Sequence, residues 1–332
     1  MNTTILSEKN IGKLTLKNRL IVSPMQQWQG TPESFATDYH VQHYAKLASG
    51  AGLLIIESTG VSPNGRLFHN DIGIFTDAHT AFLKPVVDAV HAKDTPVFIQ
   101  LTHGGRKSWR NGASRLLAPS AIAYDDEYGV PEKMSVADIR AEVENFRLAA
   151  RRSLQAGFDG IEVHAAHGHL VHQFLSPLSN RRTDEYGGSL ENRSRFLQEI
   201  LEAVRSETGR DYPVIVRVSA SDFAEGGLTP AEVGKILKGL EAYIDAVDVS
   251  SGGLLPVNPL ATPDGYQVPY ASIIKQYVGI PVMAVGKIYD PSLAEFIVSE
   301  NLSDFIAVGR PLLQDPDYVR NTFLATGMVP QH

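Results

Sequence analysis

The chain has 332 residues, of which 43% are hydrophobic and 20% charged, and no cysteine. That excludes disulfides, thiolate zinc sites, iron–sulfur clusters and cysteine nucleophiles. A formal net charge of −7 argues against nucleic acid as the main partner, and no stretch reaches the roughly 20 apolar residues of a membrane span.

Eight short apolar runs follow one another along the chain: Leu20–Val22, Gly52–Glu57, Pro96–Leu101, Gly160–His164, Val214–Val218, Ala246–Val249, Pro281–Val285 and Asp304–Val308. Continuous β-branched runs such as Val214-Ile215-Val216 suit strands buried on both faces of a parallel sheet. Helical patterns lie between them. Val136–Gln155 carries apolar positions at three- and four-residue spacing, with Ser135 as a cap, Asp138 as an approximate capping-box partner and Gly157 as a stop. Thr229–Pro230 opens a segment to Tyr243, Asp290–Pro291 opens one to Glu300, and Asp315–Pro316 opens another before the tail. Eight strands alternating with helices predict an α/β protein, a single (β/α)8 TIM barrel over residues 1–332. The alternative, an open doubly wound sheet, wants a G-x-G-x-x-G turn after its first strand, and Ser23-Pro24-Met25-Gln26-Gln27 stands there instead. The longest insertions, Thr102–Met134 and His164–Gly187, mark the ligand-holding face.

Polar residues gather where the strands end. Gln100, His164, Arg217, Ser250-Ser251, Gly286 and Gly309-Arg310 all project to one rim of a barrel. A buried Arg217 needs a partner; an internal ion pair with Glu57 or Asp248 is as good a reading as a ligand role. Gly286 and Gly309-Arg310 follow the last two strands, where bare N–H groups, a helix N-terminus and a bidentate guanidinium make a phosphate site. His164, His167, His169 and His172 invite a metal reading, but matching carboxylates at other strand ends are lacking. His172 reads as a packing or capping residue.

The run from His164 through Asn180-Arg181-Arg182 to Arg193 closely resembles the signature of the Old Yellow Enzyme family. Further matches lie at Asn18-Arg19, Ser23-Pro24-Met25, Gln100 to Lys107, Ala118-Pro119-Ser120, Arg217-Val218-Ser219, Gly265-Tyr266-Gln267 and Gly309-Arg310-Pro311, covering nearly the whole chain in order. The resemblance, especially to the shorter bacterial branch, implies an FMN-dependent ene-reductase with NADPH or NADH as reductant. It places Ser23, Pro24, Met25, Gln26 and Gly60 along the flavin ring, Gln100 at its polar edge, Arg217 at the end where reduced flavin gathers negative charge, and Gly286, Gly309 and Arg310 at the phosphate. Hydride passes from NAD(P)H to flavin N5 and on to the β carbon of an activated alkene, whose carbonyl or nitro oxygen His164 and His167 hold. Trp28, Gln26 and Tyr266 fall on the substrate side.

Three positions depart from that family. His169 stands where a proton-donating tyrosine is usual, so water, another tyrosine or His169 itself is left to supply the proton. Gln26 replaces a common cysteine, implying a shifted flavin potential, and Trp28 replaces a substrate-contacting tyrosine, implying a reshaped pocket. The tail, Gln331-His332, lacks the arginine and aromatic residues that some relatives send into a neighbour's site. Other FMN chemistry, a metal-dependent barrel hydrolase or lyase, and a non-catalytic flavin protein are the competing readings. Met1–Lys9 is polar and lacks the apolar run of a signal peptide. The expected setting is therefore cytoplasmic, with small-molecule substrates, no nucleic-acid or membrane partner, and a closed homo-oligomer as the common assembly.

Overall fold

The computed structural model describes residues 3–109, 114–257 and 262–325; Gln331 and His332 lie outside them. Eight parallel strands close into a barrel: β1 (Leu20–Val22), β2 (Leu53–Gly60), β3 (Val97–Thr102), β4 (Gly160–Ala165), β5 (Val214–Ser219), β6 (Ala246–Ser250), β7 (Val282–Val285) and β8 (Phe305–Val308). Each strand pairs with its sequence neighbours, and β8 returns to β1. Helices α1 (Asp38–Leu47), α2 (Asp77–His91), α3 (Val136–Ala156), α4 (Leu170–Leu175), α5 (Leu190–Thr208), α6 (Pro230–Leu240), α7 (Val268–Lys275) and α8 (Pro291–Ser299) follow in the connections, with a four-residue α9 (Pro311–Gln314) after β8.

Local chemistry sets the helix ends. Ser135 Oγ accepts from the Asp138 N–H at 3.1 Å while Asp138 accepts from the Ser135 N–H at 2.8 Å, so the shorter aspartate completes a capping box. Gly157 ends α3 in the left-handed region, φ 92°. The tail differs from expectation. Asp315 turns the chain by accepting from the Asp317 N–H, and helical structure resumes only at Val319–Leu324, as a π-helix.

Side chains alternate inward and outward along each strand, so the barrel fills in layers. The lower layer is apolar: Ile21, Leu53, Ile55, Phe98, Ile215, Ala246, Met283 and Phe305. A short antiparallel hairpin, Lys9–Ile11 with Leu14–Leu16, closes the bottom, and its Ile11 and Leu16 join that cluster fully buried. Two residues further along the strands, the inward positions become Gln100, Glu162, Arg217 and Asp248. The register shift in β2 between Ile56 and Ser58 turns Glu57 outward instead, where Tyr44 and the Gln27 N–H donate to it.

The plug is testable. Leu16→Ala removes a fully buried side chain and should lower stability by about 2–5 kcal/mol in urea unfolding. A loss below about 1 kcal/mol would show that the hairpin does not fill the barrel bottom.

Candidate active site

At the C-terminal ends of the strands lies a cavity of about 230 Å³. Its wall is formed by Ser23 and Met25 after β1, His167 after β4, Arg217 of β5, Ser250 of β6, Tyr266 and Gln267 before α7, Val285, Gly286, Lys287 and Tyr289 at β7, and Ala307, Gly309 and Arg310 at β8. Nine residues singled out from sequence therefore meet here: Ser23, Met25, His167, Arg217, Ser250, Tyr266, Gly286, Gly309 and Arg310. Pro24, Gln26, Trp28, Gly60, Gln100, His164 and His169 are not part of this wall.

One end of the cavity is built for close approach. Gly286 has φ 118°, and a Cβ there would sit 2.7 Å from Gln267 Nε2 and 2.9 Å from the Tyr266 ring. A Cβ at Gly309 would lie 3.3 Å from Met25 Sδ. The Ser23 N–H donates to the Val308 carbonyl at 2.9 Å and ties the β1 loop to this corner. Arg310 is joined by Lys287, a second cation that sequence reading missed, although it directly follows Gly286; its ammonium donates to the Thr262 carbonyl. The helix expected to aim its N-terminus here is only α9, a single turn, so cations and bare N–H groups rather than a helix dipole supply the positive field.

The histidine loop borders the cavity. His164 and His169 have ring centroids 4.4 Å apart, and His164 and His167 5.2 Å apart. His167 and Gly168 are both left-handed, φ 57° and 72°. That strained backbone is held from three sides. Ser219 Oγ accepts from the His167 N–H, Lys107 Nζ donates to the His167 carbonyl, and Gly253 presses against it so closely that a Cβ would meet His167 Cα at 2.6 Å. Burial, first, and then the crowding of the imidazoles on one another and the Arg217 and Lys107 charges hold His164, His167 and His169 well below the usual histidine range, which favours the neutral form of all three. His164 Nδ1 accepts from the Ala166 N–H, which leaves Nε2–H as its donor. The His167 ring meets Ser250 Oγ at 2.6 Å, and His169 Nδ1 is buried with no hydrogen-bond partner. His172 is structural: it accepts from the Gly168 N–H and meets the buried Asp222, which also binds Ser176. Among the described residues no group of three or more such side chains is arranged to hold a metal ion.

Two sequence expectations shift by one layer. Gln100 and Arg217 do not end their strands. They face the interior two residues below the strand ends, where Gln100 Nε2 donates to Glu162 Oε1 at 2.7 Å. Of the two partners considered for Arg217, Asp248 is the one present, with Nε 3.1 Å from Oδ2.

Gln26, Trp28 and Gly60 gather on a different wall. Gln26 Nε2 donates to the buried Asp71, which also accepts from the Leu67 and Phe68 N–H groups at 2.7 and 2.8 Å. Trp28, half exposed and left-handed at φ 56°, packs edge-on against Phe68 with centroids 5.7 Å apart. Gly60 bridges Gly73 at the base of the same loop. Asp71 and Phe68 escaped sequence reading because their loop carries no motif.

Burial pushes the Asp71 carboxyl up to about 7 against an ordinary 3.8. The folded chain thus holds this proton across a window where the unfolded chain does not, and stability falls as pH rises through it. Asp71→Asn removes that dependence. Its urea midpoint should gain on the unsubstituted protein between about pH 5 and about pH 8, and a constant difference would show that the carboxyl is already ionised in the fold.

Residues 9–323 match the NADH:flavin oxidoreductase / NADH oxidase family. The NADPH dehydrogenase of Clostridium acetobutylicum is 42% identical over 317 residues, 95% of this chain and 93% of that protein. The NADPH dehydrogenase of Geobacillus thermodenitrificans is 44% identical over 319 residues, 95% and 92% of the two chains. Morphinone reductase in complex with tetrahydroNAD superposes with a TM-score of 0.83 at 30% identity, over 98% of this chain and 92% of that one. A 2-naphthoyl-CoA reductase superposes with a TM-score of 0.91 at 27% identity; this chain spans 52% of its length. The motifs, the barrel and these relatives agree, and the chain belongs to the NADH:flavin oxidoreductase / NADH oxidase family, the Old Yellow Enzyme group, as an FMN-dependent NAD(P)H oxidoreductase.

Proposed function

We propose that this enzyme reduces activated C=C bonds of α,β-unsaturated carbonyl or nitro compounds. The observation that carries the reading is the group of neutral histidine rings at the cavity edge, backed by Arg217. Uncharged imidazole N–H groups stabilise a developing enolate oxygen without protonating it prematurely.

The cavity fits FMN. Gly286 leaves the backbone bare where a Cβ would collide, Gly309 leaves it bare where a Cβ would crowd Met25, and Arg310 with Lys287 matches a phosphate. Arg217 would sit under the pyrimidine end, Ser23, Pro24, Met25, Gln26 and Gly60 along the ring, and Gln100 at its polar edge. When bound, FMN supplies two-electron chemistry, accepting a hydride from NAD(P)H and returning it to the β carbon of the alkene. His164, through Nε2–H, and His167 would hold the substrate oxygen. Trp28, Gln26 and Tyr266 would shape the substrate side, with Phe68 extending the aromatic wall. His169 replaces the usual tyrosine, and because its ring is held neutral we assign it to orienting the source of the α proton rather than acting as an imidazolium acid. The absence of cysteine supports a cytoplasmic setting, with one FMN-binding barrel per chain.

Purified protein should be yellow and release FMN on denaturation. NADPH should bleach the flavin, and a cyclic enone should restore it in stopped flow. Bleaching that no alkene reverses would rule the reading out. His164→Ala with His167→Ala should retain FMN yet weaken enone and phenol binding by about ten-fold or more, from roughly 1.5 kcal/mol per lost bond. Loss of FMN instead would mean the histidines hold the cofactor. Since the imidazoles stay neutral, enone binding should be flat with pH through the ordinary histidine value of 6.5; a midpoint there would contradict the assignment.

A further inference from the structure

Beneath the cavity, the inward positions of β3, β4, β5 and β6 hold Gln100, Glu162, Arg217 and Asp248, all buried. Gln100 leans on Glu162, and Arg217 leans on Asp248. Glu162 Oε2 and both Asp248 carboxylate oxygens lack a hydrogen-bond partner. The layer therefore contains two acids and a single guanidinium. The other inward neighbours, Ile215, Met283, Phe305 and Ala307, are apolar, and Glu57 is turned away towards Tyr44 and His40. His164, the next inward position above Glu162, is neutral. An uncompensated carboxylate in such surroundings is penalised by several kcal/mol. One of the two acids must hold a proton. Burial raises both carboxyls, but Asp248 faces the guanidinium, which draws it back down, so the proton falls to Glu162. Burial, and then the Asp248 charge, raise the Glu162 carboxyl to about 8.

We propose that Glu162 is a proton-holding positioning residue, which acts on FMN through Gln100 and Arg217 and links the redox state of the cofactor to one proton in the barrel core. The inference rests on the reading that Gln100 and Arg217 face FMN. With Glu162 protonated, the layer carries one positive and one negative charge. Without that proton it carries a net negative charge, which opposes the negative charge that two-electron reduction brings to Arg217. By reciprocity, reduction raises the proton affinity of Glu162. The balance is complete: one hydride, which carries both electrons, comes from NAD(P)H, which leaves as NAD(P)+. Within the window between its two affinities, Glu162 takes one proton from solvent on reduction and returns it on reoxidation. The same carboxyl fixes Gln100. Because Glu162 Oε1 takes the amide N–H, the carbonyl of Gln100 is the atom left to accept from a donor on the cofactor's polar edge.

The test uses holoenzyme with full FMN and two readouts. The infrared difference between unsubstituted protein and Glu162→Gln at neutral pH, in which the Asp71 carboxyl cancels, should show the carbonyl band of a buried protonated carboxylic acid. Potentiometry of bound FMN from below to above about pH 8 should give coincident curves for unsubstituted protein and Glu162→Gln at the acid end. The curves should separate upward, the unsubstituted protein lying lower. Asp248→Asn leaves Glu162 as the only acid for Arg217, so its band should vanish at neutral pH and the separation move to more acid pH. Absence of that difference band would overturn the proposal. The band together with parallel potential curves would overturn the link to FMN, and would place the fault in the reading of Gln100 and Arg217. Glu162→Gln is close in shape to the neutral acid and keeps the acceptor for Gln100, so a folding failure of Asp248→Asn leaves the test standing.

Discussion

Arg217 is a guanidinium held inside a closed barrel, and much of the molecule answers the problem of a charge taken out of water. A barrel of eight parallel strands has no edge and no aqueous lumen, so an inward charge must find its partner on neighbouring strands. The register supplies one: Arg217 lies beside Asp248 across the β5–β6 pair. The same register brings Gln100 beside Glu162 across β3–β4. Below this layer the barrel is apolar and sealed by the N-terminal hairpin, so the polar layer faces the site and nothing else. The site's electrostatics are thus fixed by strands, the most rigid elements of the fold.

What stands above that layer is held by loops, and loops need other means of rigidity. Two consecutive left-handed residues, His167 and Gly168, cost of order 1–3 kcal/mol for the non-glycine member. Ser219, Lys107 and Gly253 all contact that turn, the first from the end of β5 and the others from the connections after β3 and β6. The pinning lets the uncharged His167 ring join a cavity wall that Arg217, Lys287 and Arg310 would otherwise make simply cationic. Neutral donors above a fixed cation suit chemistry in which negative charge appears transiently.

The layered fold was largely legible in the chain. Eight short apolar runs, several of them β-branched, with caps and stops between them name every barrel strand to within a few residues, because strands buried on both faces have little polar side to blur the pattern. That Gly286, Gly309 and Arg310 meet in one cavity was legible too, since all three directly follow the last two strands. Layer depth was not. Whether Gln100 ends its strand or sits two residues below the end is decided by where pairing stops, and local sequence does not specify that. The bulge that sends Glu57 out of the barrel has the same character: one extra residue reverses a side chain, and no periodicity announces it. Glu162 was missed because it looks like one polar residue in an apolar run, and its meaning comes from the count of charges around it.

The substrate side shows the same division. Gln26 and Trp28 are visible in the sequence as departures, and each alone suggests a local change. In the structure they share a partner segment. Asp71 gathers Gln26 and the Leu67 and Phe68 amides onto one carboxyl, and Phe68 in turn meets Trp28. The Gly30 N–H donates to the Asn70 carbonyl, and a Cβ at Gly30 would lie 2.8 Å from it, so the two loops are pressed together along their length. Gln26 and Trp28 therefore act as one wall with the loop that carries Phe68, and a change at either moves the other through Asp71. The cavity at the strand ends is set by the barrel, whereas the wall of Gln26 and Trp28 is set by this loop pair, which is why the first could be read from strands and the second could not.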